Sequence, residues 1–366
     1  MSQLVVIGTR PEAVKLAPVV RALRERGVDT DVLVSGQHAD LVRPVLEAFS
    51  VRVDHALPRT EASDLATLTG RLLVQLGAAL RRIAPSRVVV HGDTATALAA
   101  SLAAFYAQLP LAHVEAGLRT GALAAPFPEE ANRVLVDRLS DLWFAPTPLA
   151  ARALLAEGIG PDRVHITGNT GVDAARWMSA RAAALPLSTW ASELGTALAP
   201  LLAGAPTVLV TAHRRESIPD GLIGIATAVR TAASLRPDVH WLVPLHPNPR
   251  ARAALAPRLA DLPAVHLLDP LPYAAAIRVI GECVLVLTDS GGLQEEAPSL
   301  DTPVVVLRDR TERTEGVDAG WLRVVGTSAP AIVAATLDAL DSPPRGTPDP
   351  FGDGHAAERI AAVLAC

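Results

Sequence analysis

Short runs of β-branched and aliphatic residues alternate with longer amphipathic stretches along the whole chain, and this rhythm restricts its fold more than any other feature. In the first half the runs Leu4–Ile7, Asp31–Val34, Arg87–Val90, Leu111–Val114, Leu142–Ala145 and Val164–Ile166 read as strands. Helical patterns lie between them at Pro11–Arg26, Asp40–Phe49, Asp64–Ile83, Thr94–Gln108, Glu129–Leu139 and Leu149–Glu157. The second half continues with strands Thr207–Val210, Val239–Val243, Val265–Leu268, Val284–Thr288, Val304–Leu307 and Leu322–Val325. Strands separated by helices imply βαβ crossovers and parallel sheets. The expected fold is therefore α/β, with two doubly wound Rossmann-like domains facing a central cleft. Residues 1–168 would form the first domain and 169–350 the second, joined near Gly168–Gly171. A last helix, Gly354–Leu364 within 351–366, is expected to pack back towards the first domain.

Composition narrows the function classes. The chain has 366 residues and a formal net charge of −5, whereas a nucleic-acid binder needs a basic face, so no nucleic-acid partner is expected. Its two cysteines, Cys283 and Cys366, cannot supply a disulfide framework or a CxxC zinc site and suit a reducing cytoplasm. His240, His246, His266 and Cys283 lack metal-ligand spacing, so no metal is expected. The N-terminus shows no basic n-region or cleavage site, and no signal peptide is expected. The longest uncharged run, Thr94 to Ala112, is Ala-rich and interrupted by Gln108 and Pro110. It reads as a buried helix followed by a strand, so no membrane partner is expected.

In open α/β sheets ligands bind beyond the carboxyl ends of the strands. Gly8-Thr9-Arg10-Pro11-Glu12 follows the first strand, with Lys15 close behind. Arg10 and Lys15 flank a helix start, which suits an anion; the alternative is an ordinary surface cap. The segment is not GxGxxG, so the dinucleotide fingerprint is missing. Lys15 is the only lysine in the sequence, against 33 lysines and arginines together. Its survival suggests a position that needs a compact ammonium and not a planar guanidinium.

Asp93, Glu115 and the pair Glu129–Glu130 also follow strand ends or open a helix. Each is open to a bland reading as a cap or dipole partner, but acids gathered at one sheet edge perturb each other and make acid/base pairs. In the second half His213, beside Arg214 and Arg215, follows Thr207–Val210 and faces either an anion or the core. Ser290, Gly291 and Gly292 open a helix after Val284–Thr288, where bare N–H groups suit a phosphate or form a plain tight turn. Glu296, further along, can accept both hydroxyls of a ribose.

Together the segments GTRPEAVK, SGQH, HGDT, HVEAGLRTG, PFPEEANR, GNTGVD, TAHRRES, TDSGGLQEEAPSL and RTERTEG, in this order, resemble the non-hydrolysing UDP-N-acetylglucosamine 2-epimerases. The resemblance implies a GT-B-like fold, no cofactor, a homodimer, and inversion at C2 of a UDP-sugar through UDP elimination and a bound 2-acetamidoglucal. It implies that Asp93, Glu115 and Glu129 share the acid/base work, and that His213, Arg10 and Lys15 stabilise the departing pyrophosphate. Ser290, Gly291 and Gly292 would hold phosphate and Glu296 the ribose, with Arg133 and Arg313 in the substrate-binding set. A regulatory second nucleotide site is implied near Gln37, Arg71, Arg214 and His246. Ala39-Asp40 after His38, and Thr314 in the RTERTEG segment, depart from the family pattern, the former weakening the second-site match. Two rivals share the scaffold: a GT-B glycosyltransferase, which needs an acceptor, and a nucleotide-sugar sensor without turnover.

Overall fold

The computed structural model describes residues 2–60, 62–212, 220–344, 346–348 and 350–366. The chain divides into two compact units, one of Met1–Ala174 with Phe351–Cys366 and one of Ala175–Pro350. In the first, the aliphatic runs become parallel strands β1 (Gln3–Ile7), β2 (Thr30–Val34), β3 (His55–Ala56), β4 (Arg87–His91), β5 (Leu111–Val114), β6 (Leu142–Ala145) and β7 (Val164–Ile166). Helices α1 (Arg10–Glu25), α2 (Ala39–Ala48), α3 (Leu65–Ile83), α4 (Ala95–Tyr106), α5 (Glu129–Leu139), α6 (Pro148–Ala156) and α7 (Thr170–Ala183) accompany them. Every residue of β1 and β5 is buried, as expected of parallel strands covered on both faces.

The order across this sheet is β3-β2-β1-β4-β5-β6-β7. The second unit holds β8 (Thr207–Thr211), β9 (His240–Pro244), β10 (Val265–Leu268), β11 (Leu285–Thr288), β12 (Val304–Val306) and β13 (Leu322–Val324). Its order, β10-β9-β8-β11-β12-β13, repeats the pattern. Strand order therefore reverses between β1 and β4 and again between β8 and β11, the switch points at which such sheets bind ligands.

The uncharged run Thr94 to Ala112 becomes α4 and β5. Ala97, Ala100, Ala103 and Ala104 of α4 are buried against Leu72, Leu76 and Leu80 of α3, small side chains that let the helices approach closely. Among the described residues no helix is long and apolar enough to cross a membrane. The two-residue β3 is too short to leave a sequence signal. The unit division falls inside α7, which starts directly after the Gly168-Asn169 turn because Asn169 Oδ1 accepts the Gly171 N–H at 2.8 Å.

The C-terminal helix Ala356–Leu364 joins the first unit. Its own preceding residues give it no side-chain cap; Asp173 of α7 supplies one, accepting the N–H groups of Ala356 at 3.2 Å and Ala357 at 2.7 Å. Gln3 Nε2 donates to the Leu364 carbonyl at the other end, at 3.2 Å. Loss of a helix cap costs about 1–2 kcal/mol. Asp173→Ala should lower the free energy of urea unfolding by that amount, and an unchanged midpoint would mean that apolar packing alone seats the helix.

Candidate active site

Gly8 and Thr9 carry the chain from β1 into α1. A Cβ at Gly8 would lie 2.0 Å from Thr96 Oγ1, so only glycine fits this turn. Glu12 then closes a capping box: its Oε2 accepts from Gly8 N at 3.0 Å, Thr9 N at 2.6 Å and Thr9 Oγ1 at 2.8 Å. Its Oε1 accepts from Thr94 Oγ1 at 2.7 Å, which ties the turn after β1 to the turn after β4. Burial raises the Glu12 pKa above the usual carboxylate value, an effect that hydrogen bonds from Thr94 and Thr9 and the nearby His91 offset only in part. Arg10, the first residue of α1, is half-buried.

Lys15 lies just beyond the first turn of α1 and is only 6% exposed. Its ammonium is ion-paired with Glu115 Oε2. Glu115 directly follows β5 with φ +67°, a left-handed conformation uncommon outside glycine. Asn169 Nδ2 lies 3.4 Å from the same oxygen, and His91 Nε2 3.5 Å from it.

Asp93 follows β4, the neighbour of β5. Its Oδ2 accepts from both Arg133 Nε and Arg133 Nη2, the former at 3.2 Å, and its carbonyl accepts from Asn132 Nδ2 at 2.8 Å. Both partners lie in the first turns of α5. Glu129, three and four residues earlier, shares their helix face. The two adjacent glutamates differ in surroundings. Glu130 is fully buried and accepts from Thr120 N at 2.8 Å, Gly121 N at 2.9 Å and Arg133 Nη1 at 3.2 Å. Glu129 is half-buried, and no hydrogen bond or ion pair involves its carboxylate among the described residues.

In the second unit, Thr288-Asp289-Ser290-Gly291-Gly292 follows β11 at the switch point. The helix expected after it is a single turn, Leu293–Glu296, because Pro298 begins a 3₁₀ segment directly afterwards. A long helix dipole is therefore absent there. Positive charge comes instead from Arg313, whose guanidinium lies against Gly291, 3.1 Å from where a Cβ would stand. Arg313 donates to Glu295 Oε1 at 2.9 Å and pairs with Glu312. Tyr273 OH donates to Glu296 Oε1 at 3.2 Å and holds that carboxylate, a contact with no sequence signal. His213 and Arg214 lie outside the described residues, which stop at Ala212 just after β8 and resume at Asp220.

A family model described as UDP-N-acetylglucosamine 2-epimerase matches residues 21–365. The chain belongs to that family. It is 43% identical to a probable UDP-N-acetylglucosamine 2-epimerase of Ralstonia nicotianae, over 99% of this chain and 98% of the relative. It is 41% identical to the UDP-N-acetylglucosamine 2-epimerase of Escherichia coli K12, over 100% and 98%. The crystal structure of UDP-GlcNAc 2-epimerase from Neisseria meningitidis bound to UDP-GlcNAc superposes with a TM-score of 0.93 at 37% identity, covering both chains completely. The fold class expected from the sequence, two parallel α/β sheets of GT-B-like type, is that of these epimerases.

The residues that resemble the family's second nucleotide site fall in both units, and Arg214 lies outside the described residues. Gln37, half-buried, accepts from Thr96 Oγ1 at 2.8 Å. Arg71 is exposed on α3. His246 is exposed in the second unit, its Nδ1 accepting the Asn248 N–H at 3.1 Å. Asp40, part of the departure from the epimerase pattern, is exposed and meets Arg59 at 3.5 Å.

The contrast between the two glutamates is measurable. Glu130→Gln turns an amide N–H₂ towards Arg133 and removes charge from three hydrogen bonds, at a cost of about 2 kcal/mol. Glu129→Gln should leave unfolding within about 0.5 kcal/mol of wild type, as at other sites without partners. Chemical denaturation of the two variants checks this, and equal destabilisation would contradict the assignment.

Proposed function

We infer that the chain interconverts UDP-N-acetylglucosamine and UDP-N-acetylmannosamine, or a close UDP-2-acetamido sugar, by inverting C2. A carboxylate removes the C2 proton while the C1–O bond to UDP breaks with its electron pair, leaving UDP and a bound 2-acetamidoglucal. UDP oxygen then re-adds at C1 as C2 takes a proton on the opposite face. Asp93, Glu115 and Glu129 share these proton transfers. Arg10, Lys15 and His213 oppose the negative charge that grows on the departing pyrophosphate. Arg133 orients Asp93 within the substrate set. Ser290, Gly291, Gly292 and Arg313 bind the phosphates and Glu296 the ribose.

One observation carries this reading: in a chain related over its full length to UDP-N-acetylglucosamine 2-epimerases, a lysine-paired Glu115 and an arginine-held Asp93 occupy neighbouring strand ends. Glu129, on the helix face that holds Asp93, adds a third acid whose carboxylate has no hydrogen-bond or ion-pair partner among the described residues. The same reading takes the protein as a cytoplasmic homodimer. Its cysteines, buried Cys283 and exposed Cys366, are free thiols, as a reducing compartment keeps them.

Incubation with UDP-N-acetylglucosamine in D2O, followed by proton NMR, tests the reaction. Recovered sugar nucleotide of both C2 configurations should carry deuterium at C2. Epimerisation with the original hydrogen retained would contradict the scheme, and UDP release that depends on an added acceptor would point to a glycosyltransferase.

A further inference from the structure

Behind the strand ends lies a buried charged node that this scheme does not use. His113 projects from β5 and is completely buried. Its Nδ1 lies 2.6 Å from Asp137 Oδ1, and its Nε2 donates to the Gly92 carbonyl at 2.9 Å. Asp137, equally buried on α5, receives Gly117 N–H at 3.2 Å and Arg119 Nη1 at 2.8 Å on its other oxygen. Burial works to raise the Asp137 pKa, but the charges and hydrogen bonds of His113 and Arg119 outweigh it and hold the carboxyl below its usual value. Arg119 is anchored in turn by Glu157, at 2.6 and 3.0 Å.

The contacts of this node fall on all three segments that carry the proposed catalytic acids. Gly92 immediately precedes Asp93. Gly117 stands two residues after Glu115. Asp137 itself lies on α5, the helix that Glu129 opens. Two of these segments have backbone that must be held in place: Gly92 at φ +64° and Glu115 at φ +67°. A non-glycine residue persists at positive φ only when its surroundings over-determine it. Here Gly92 N–H donates to the Val114 carbonyl at 3.0 Å on one side, and Gly117 N–H is fixed by Asp137 on the other. Gly117 cannot be replaced, since a Cβ would lie 2.3 Å from the Ala150 carbonyl oxygen.

The structure assigns His113 and Asp137 the role of positioning residues, which set the Asp93, Glu115 and Glu129 segments relative to one another for proton transfer at C2. The assignment rests on the epimerase reading. The competing account, in which the pair only fastens α5 to the sheet, makes a different prediction for two nearly isosteric variants. His113→Gln keeps an N–H near the position that faces Gly92. His113→Asn keeps one near the position that faces Asp137 and abandons Gly92.

Misplacing a catalytic group by about 1 Å can cost ~100-fold in rate. We therefore expect His113→Asn to lower kcat roughly 100-fold and His113→Gln by less than about tenfold, with the UDP Kd within about threefold of wild type in both. The melting temperature should fall further in His113→Gln, which gives up the bond to the buried Asp137 carboxylate, than in His113→Asn, which gives up only the bond to a backbone carbonyl, so that activity and stability rank the two variants in opposite order. A Gln variant no more active than the Asn variant, or a loss of kcat that follows the melting temperature, overturns the assignment. Wild-type protein assayed alongside separates this from the broader reading: absent C2 exchange in wild type would refute the epimerase function itself.

Discussion

The Lys15 ammonium meets the Glu115 carboxylate where α1 reaches the end of β5, and both groups are almost withdrawn from water. Burying such charges singly costs several kcal/mol each, and burying them together is tolerable only where the remaining polar atoms find partners. Asn169 approaches the same carboxylate from the start of α7, and His91 from the end of β4. The pair thus draws four elements of the first unit onto one oxygen. It also explains how Glu115 keeps a left-handed backbone that a solvated glutamate would leave. A compact ammonium suits this site. A guanidinium in its place is longer, flat and best matched to a bidentate partner, which accounts for one lysine persisting in a chain that otherwise uses arginine.

Topology decides where that chemistry can gather. In each parallel sheet the strand order reverses beside the first strand, so the loops leaving there diverge and expose the strand ends. Gly8–Lys15 and Gly92–Thr94 flank the reversal in the first sheet, and Glu12 stitches them together through Thr9 and Thr94. Thr288–Gly292 occupies the equivalent place in the second sheet. The two units repeat one architectural device with different chemistry, acids with a lysine in one and small residues with Arg313 and Glu296 in the other.

The strands were legible because parallel strands buried on both faces are mostly apolar: Leu4–Ile7, Leu142–Ala145 and Val304–Leu307 are wholly so, and Leu111–Val114 and Val265–Leu268 are so except for one histidine each. The start of α1 was legible as well, from Pro11 in its first turn; the Glu12 carboxylate that ties this turn to Thr94 was not, because the two are 82 residues apart. What escaped the sequence depends on contacts between distant segments. His113 and Asp137 are separated by 24 residues, and neither periodicity nor a local motif links them. Tyr273 reaches Glu296 from another helix. Glu129 and Glu130 are alike in residue type and spacing; the family resemblance alone singles out Glu129, and the Thr120–Gly121 loop bonded to Glu130 has no signal in the sequence. The helix opened after Gly292 does carry Glu296, and its end after a single turn follows from Pro298, which begins a 3₁₀ segment directly afterwards.

Exchange of the one lysine tests the central claim, that the Lys15–Glu115 pair aims the acid at the sugar and its charge at departing UDP. Lys15→Arg conserves net charge but misplaces it, and loss of one well-aimed electrostatic donor costs ~3 kcal/mol, or ~100-fold in turnover. Steady-state kinetics with UDP-N-acetylglucosamine, beside a UDP-binding isotherm, should show kcat reduced on that order while UDP affinity falls far less. Wild-type turnover in the folded variant would contradict the account.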